Sequence, residues 1–173
     1  MKRWALAFLT LALSACTSIE TSQLDPAQNL RLPNDVQGNI VFPEHVVLVD
    51  RRQRDTTYYK ALSSETLNDW GSEMITGLAA NEVCVHGLGD EDHYPYTVVS
   101  IEKAYVKHLA TNISGVVVIA VEAPQQAPVY FRGQSVDVNW WGNDSEFTAV
   151  LNQAFTDVLQ QWGKVSEGGG SLN

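Results

Sequence analysis

The stretch that decides the fold is NDSEFTAVLNQAFTDVLQQW, residues 143–162. Its apolar residues recur every three or four positions, which is the period of one face of an α-helix. They are Phe147, Val150, Leu151, Ala154, Phe155, Val158, Leu159 and Trp162. Asn143 and Glu146 form the pattern of a capping box just before this run. The sequence therefore predicts a C-terminal helix whose apolar stripe packs on the rest of the protein.

Three stretches before this helix are rich in β-branched and aromatic residues, at 96–107, 113–122 and 129–140. Such residues favour strands, and the short breaks between the stretches favour an antiparallel meander. Further upstream, Val46-Val47-Leu48-Val49 is a continuous apolar run typical of a strand buried on both faces. Residues 83–85 predict one more short strand.

A second helix is predicted between the first two strands. Ser63 and Ser64 offer an N-cap, and the apolar residues that follow share one helical face. These are Leu67, Trp70, Met74, Ile75 and Leu78. The order of elements predicts an α+β fold, in which a mostly antiparallel sheet of about four to five strands carries two amphipathic helices on one face.

The N-terminus indicates export. Residues 1–15 combine a basic start with an apolar run of about ten residues, which is typical of a secretory signal and too short for a membrane span. The sequence LSAC at 13–16 resembles the lipobox of bacterial lipoproteins. That resemblance implies cleavage before Cys16 and lipid attachment to it, and Thr17 at the next position implies the outer membrane. The alternative is an ordinary signal peptide with a cysteine beside its cleavage site.

Composition predicts the boundaries of the remaining segments and of the folded domain. Residues 16–39 are polar and interrupted by prolines, so they predict a lipidated N-terminus and a flexible tether. Residues 40–164 predict a single domain. Residues 165–173, with three consecutive glycines, predict a disordered tail.

The charge and the cysteines exclude several classes of protein. The formal net charge of −9 argues against nucleic acid and anionic lipid headgroups as partners. Only two cysteines are present, so lipidation of Cys16 would leave Cys84 without an intrachain partner. Cys84 stands in an apolar alternation, which predicts a buried thiol; a reactive or intermolecular thiol is the alternative.

The order of these features resembles the YajG-type family of outer-membrane lipoproteins. The resemblance rests on the lipobox, the tether, VVLVDRR at 46–52, the helix from Leu67 to Leu78 and LNQAF at 151–155. More distantly, the chain is similar to auxiliary lipoproteins of lipid-transporting ABC systems. The resemblance implies a non-enzymatic periplasmic accessory protein and supplies no catalytic residues.

Signals for chemistry are weak. The sequence has no Gly-x-Ser-x-Gly elbow and no glycine loop before a helix, so we expect neither enzymatic activity nor a bound cofactor. Residues 86–93 gather carboxylates and two imidazoles, among them Asp90, Asp92 and His93. Their spacing matches no common metal motif, so we expect a solvated acidic loop and no metal, although a divalent ion is the alternative.

Two groups of residues are candidates for partner binding. A basic cluster follows the first strand, and it either grips an anionic group or neutralises neighbouring acids. Aromatic pairs near element ends either contact a partner or cover a helix end. The candidates are Arg51, Arg52, Arg54, Tyr58, Trp140 and Trp141.

These observations lead to one functional hypothesis and one alternative. The chain is predicted to be an accessory or binding protein, anchored by lipid to the outer membrane and facing the periplasm, with an envelope protein as its partner. The alternative is a lipid-binding auxiliary lipoprotein of an ABC-type transport system, which would need an apolar cleft.

Overall fold

A five-stranded sheet and two helices make up most of the described chain. The computed structural model describes residues 23–30, 32, 34–54, 60–87, 96–108, 111–138 and 141–167. The strands are β1 (His45–Asp50), β2 (Cys84–His86), β3 (Thr97–His108), β4 (Asn112–Glu122) and β5 (Val129–Val138). The helices are α1 (Ser64–Leu78) and α2 (Asp144–Glu167). The predicted α+β fold is confirmed.

The strands lie in the order β2-β1-β3-β4-β5. Strands β3, β4 and β5 form the predicted antiparallel meander, which supplies most of the residue pairs in the sheet. Strand β1 lies between β2 and β3 and is parallel to both, so the sheet is mixed. The parallel β1–β2 pair follows from the helix that connects these strands, because a crossover returns the chain in the same direction. Val46–Val49 are buried, as expected for an inner strand.

Both helices pack on the same face of the sheet, as predicted. Two glycines allow α2 to approach closely: a Cβ on Gly133 would lie 1.9 Å from the Ala154 carbonyl oxygen, and one on Gly115 would lie 2.3 Å from that of Val150. Helix α1 covers the same face of the sheet over β1 and β3, where Gly71 packs against both strands. The apolar stripes of both helices are buried in one core. None of the described helices is long and apolar enough to cross a membrane.

Side chains at the helix starts explain where the helices begin. The Ser63 hydroxyl accepts a hydrogen bond from the Thr66 backbone N–H at 3.2 Å. The Asn143 side chain accepts one from the Glu146 backbone N–H at 3.0 Å, so the predicted cap is present. The predicted tail boundary is wrong, because α2 continues to Glu167. Residues 168–173 lie outside the described part of the chain.

The segment 16–39 differs from the predicted tether in its described part. Leu24 and Val36 are only 1% and 5% exposed and belong to the hydrophobic core. The Asn152 side chain donates a hydrogen bond to the Pro26 carbonyl oxygen at 3.3 Å, which ties the segment to α2. The domain therefore begins before residue 40. Single apolar residues between turns pack here without any periodicity, so the sequence pattern gave no signal.

Candidate interaction surface

Alternate residues of β3, β4 and β5 lie on the face of the sheet opposite the helices, which we call the open face; it is exposed along β5 and at Lys103 and Lys107, whereas Ser114 and Val116 of β4 are buried. Gly115 and Gly133 face α2. Because successive side chains of a strand point to opposite faces, residues an odd number of positions away from these glycines point away from the helices. The register then places these residues side by side on the open face: Lys103, Tyr105 and Lys107 of β3; Ser114, Val116 and Val118 of β4; Tyr130, Arg132, Gln134, Val136 and Val138 of β5.

Strand β5 presents apolar side chains to solvent on this face. Tyr130 is 64% exposed, Val136 58% and Val138 43%. The solvated face of an antiparallel sheet is normally polar, and β5 lies at the edge of the sheet. Exposed apolar residues on an edge strand mark a surface suited to contact with another molecule. These three residues lie at alternating positions of a predicted strand, but their sequence pattern alone did not distinguish an exposed face from a buried one.

Trp141 lies just beyond β5 and is 84% exposed. Its backbone N–H donates to both carboxylate oxygens of Glu146 at 3.2 Å, and that of Gly142 donates to Oε2 at 2.8 Å. The start of α2 thus fixes the backbone of an exposed tryptophan, which was predicted as a partner contact. Its binding role stays a prediction. Tyr58 and Trp140 lie outside the described residues.

The basic cluster after β1 does not act as one group. The Arg52 side chain is 2% exposed and contacts Asp50 through Nε and Nη2, each at 2.9 Å. Its Nη2 also donates to the Leu62 carbonyl oxygen at 2.7 Å. The Arg52 guanidinium therefore neutralises Asp50, as the alternative for this cluster expected, and its partner-binding role stays a prediction. Arg51 and Arg54 are exposed, and their binding role stays a prediction.

Asp50 is held in its charged form by this network. Burial by itself raises the pKa of Asp50, but the Arg52 guanidinium, the Ser64 hydroxyl and the Arg52 backbone N–H all donate hydrogen bonds to the carboxylate. Together with the charge of Arg52, they hold the pKa of Asp50 below its usual value. The network joins the end of β1 to the start of α1.

We expect Asp50→Asn to destabilise the protein at pH 7 and to remove part of its acid sensitivity. The pKa of Asp50 is lower in the folded protein than in the unfolded one, so its stabilisation is present above about pH 4 and is lost as the pH falls through the folded value. Urea unfolding at neutral pH and below about pH 3 measures this difference. Asp69→Asn, at an exposed site on α1, is the control. An equal deficit of Asp50→Asn at both pH values would contradict the assignment.

Two histidines meet at the opposite edge of the sheet. His45 Nδ1 and His86 Nε2 are 3.2 Å apart, and the ring of Tyr96 packs against both imidazoles. Among the described residues, no group of three or more His, Cys, Asp or Glu side chains could hold a metal ion. Asp90, Asp92 and His93 lie outside these residues, so the prediction about their loop stays open.

Cys84 is exposed, so the prediction of a buried thiol is wrong. It begins β2, a strand of three residues at the edge of the sheet, where the chain is covered on fewer sides than in an inner strand. The apolar alternation around Cys84 indicated a strand correctly but did not show where that strand lies in the sheet. Cys16 and the signal segment lie outside the described residues.

Comparisons with known proteins give only distant likenesses. No protein-family model and no curated protein matches the sequence. Among solved structures, the chain is similar to a Xanthomonas campestris protein of the DUF330 family, with 13% identity, a TM-score of 0.47 and coverage of 81% of this chain and 93% of that chain. It is also similar to a minor lipoprotein of Acinetobacter baumannii, with 11% identity, a TM-score of 0.42 and coverage of 72% and 91%. Because both TM-scores are below 0.5, neither likeness transfers a function, and the YajG-type resemblance is not confirmed.

Proposed function

We propose that this protein is a non-enzymatic accessory lipoprotein of the periplasmic side of the outer membrane, which binds another envelope protein through the open face. The observation that supports this most is the row of exposed apolar side chains on β5, namely Tyr130, Val136 and Val138. Burying such side chains against a partner is favourable by about 25 cal/mol per Å² of apolar area. Trp141 extends the surface with a residue type that is enriched in binding hot spots.

The lipobox at 13–16 supports the membrane anchor. Cleavage before Cys16 and acylation of that residue would hold the domain at a membrane surface by several acyl chains. Gln23 forms a bridge to Ala61 and lies seven residues after Cys16 in the sequence. We propose that this short separation in sequence keeps the open face within reach of envelope proteins near the membrane.

Site-specific photocrosslinking tests the proposal. A benzophenone amino acid in place of Val136 is expected to give a discrete protein adduct when intact envelopes are irradiated, because the side chain at this position is exposed on the proposed interface. The same amino acid in place of Val165, which is 38% exposed on α2, is the matched control and should give no such adduct.

A second variant tests the anchor in the same experiment. Cys16→Ser is expected to release the chain from the membrane fraction and to lower the adduct yield at Val136, because the lipid holds the domain near its partner. Equal crosslinking at Val136 and Val165 would contradict the proposed surface. Retention of Cys16→Ser in membranes at high salt would contradict the lipid anchor.

A further inference from the structure

We propose that the partner surface that docks on the open face is acidic, with carboxylates that meet Lys103, Lys107 and Arg132. This inference rests on the proposed function, since it names the chemistry of the partner at the same surface. The register supports it: Lys103 pairs with Val118, which pairs with Arg132, so the two cations flank one half-buried valine. The backbones of Lys103 and Arg132 are about 10 Å apart, and Lys107 lies about 13 Å from Lys103 along β3.

Two of these cations are positioned by neutral neighbours. Arg132 Nη2 donates to Gln134 Oε1 at 2.8 Å, and Gln134 Nε2 donates to Ser114 Oγ at 3.2 Å. The Lys107 ammonium lies 5.7 Å from the centre of the Tyr105 ring. These polar and aromatic contacts orient the Arg132 and Lys107 side chains without supplying an opposite charge. A partner carboxylate can make a charge-assisted hydrogen bond to each of them.

Within the described residues, none of the three cations forms a salt bridge. This is notable in a chain with 20 acidic and 11 basic residues. Of the two carboxylates on the same side, Glu102 directly precedes Lys103 at a bulge in β3 and accepts a hydrogen bond from Ser100 at 2.8 Å, whereas Glu122 lies at the far end of β4. Glu102 therefore offsets part of the charge at Lys103, whereas Lys107 and Arg132 lie farther from both carboxylates.

Side chains, more than the backbone edge of β5, are suited to make this contact. Gln161 of α2 donates to the Arg132 carbonyl oxygen at 3.1 Å, and Asp137 accepts from the Val138 backbone N–H at 2.7 Å. These bonds occupy groups that an added strand would need. An anionic membrane fits less well than a protein, because a chain of net charge −9 is repelled by it as a whole. A protein partner, unlike a membrane, can carry its carboxylates only at the positions that face the three cations.

Charge reversal in the full-length lipoprotein tests the inference. The variant Lys103→Glu/Arg132→Glu, carrying the benzophenone amino acid at position 136, is expected to lose about tenfold or more of the protein adduct, because like charges would then face each other. Lys164→Glu reverses an exposed cation on α2, which packs on the other face of the sheet, and should keep the adduct. The neutral variant Lys103→Gln/Arg132→Gln should lie between the wild type and the reversal, and thermal melts confirm that each variant is folded.

Two measurements on the wild type complete the test. Irradiation at about 1 M salt should reduce the adduct strongly, since the screening length falls to about 3 Å. Mass spectrometry of the adduct should place the crosslink beside Asp or Glu residues. A wild-type adduct that survives both charge reversal and salt would overturn the acidic partner but leave the proposed function intact. Absence of any wild-type protein adduct would overturn the proposed function itself, and a phospholipid adduct would overturn both.

Discussion

Replacing Phe155 by Ala is expected to lower the free energy of unfolding by about 3–5 kcal/mol. Phe155 is fully buried in α2, and its ring meets that of Trp70 edge-on, with 4.8 Å between the ring centroids. The Trp70 indole N–H donates to the buried Asn152 side chain at 2.7 Å, so both helices are joined at this point. Loss of the ring would leave a cavity next to this contact. Urea unfolding followed by tryptophan fluorescence measures the change.

Gln153→Ala is the matched control. Gln153 lies two positions earlier on α2 and is exposed, so its replacement is expected to change the free energy of unfolding by no more than about 0.5 kcal/mol. The total stability of a domain of this size is about 5–15 kcal/mol, so Phe155→Ala alone would remove a large share of it. Small, equal effects at both positions would mean that α2 is not packed on the sheet as described.

Local patterns were sufficient to predict the helices and the strands. The helical period of 143–162 and its cap predicted α2, because a helix on a sheet must bury one stripe and satisfy its first backbone N–H groups. The three β-rich stretches predicted β3 to β5, since short connections leave little choice but antiparallel neighbours. Each of these patterns involves residues that are close together in the chain, so it can be recognised from one sequence alone.

Contacts between distant parts of the chain could not be predicted in this way. Nothing in the run Val46–Val49 shows that β1 lies between β2 and β3. Leu24 has no apolar period around it, yet it is buried in the core and its backbone N–H donates to the Ala61 carbonyl oxygen at 2.8 Å. Such contacts depend on which surfaces remain uncovered after the sheet and the helices have formed.

The candidate site shows the same division. Trp141 could be identified from sequence because side chains alternate along a strand, so one member of the Trp140-Trp141 pair is expected to point away from the core. Arg52 could not be distinguished from Arg51, since the choice between burial and exposure depends on Asp50 and on the Leu62 carbonyl oxygen. The open face required the strand order, which places Lys103 and Arg132 on either side of β4.

The close approach of α2 to β5 leads to the second large effect. Gly133→Ala is expected to destabilise the protein by about 1–3 kcal/mol or more, because overpacking forces a shift of the backbone. The added Cβ would lie 1.9 Å from the Ala154 carbonyl oxygen and 2.7 Å from Val158 Cγ2. The first of these atoms belongs to the helix backbone, so the helix as a whole must move away from β5. Urea unfolding measures the change.

Gly87→Ala separates this clash from the general effect of replacing a glycine. A Cβ at Gly87 would meet nothing within 4 Å, so alanine there restricts the unfolded chain without a steric cost. Gly87→Ala should raise the free energy of unfolding by no more than about 1 kcal/mol. If Gly133→Ala behaved like Gly87→Ala, α2 would have to lie farther from β5 than described. The buried stripe of α2, including Phe155, would then need another packing partner.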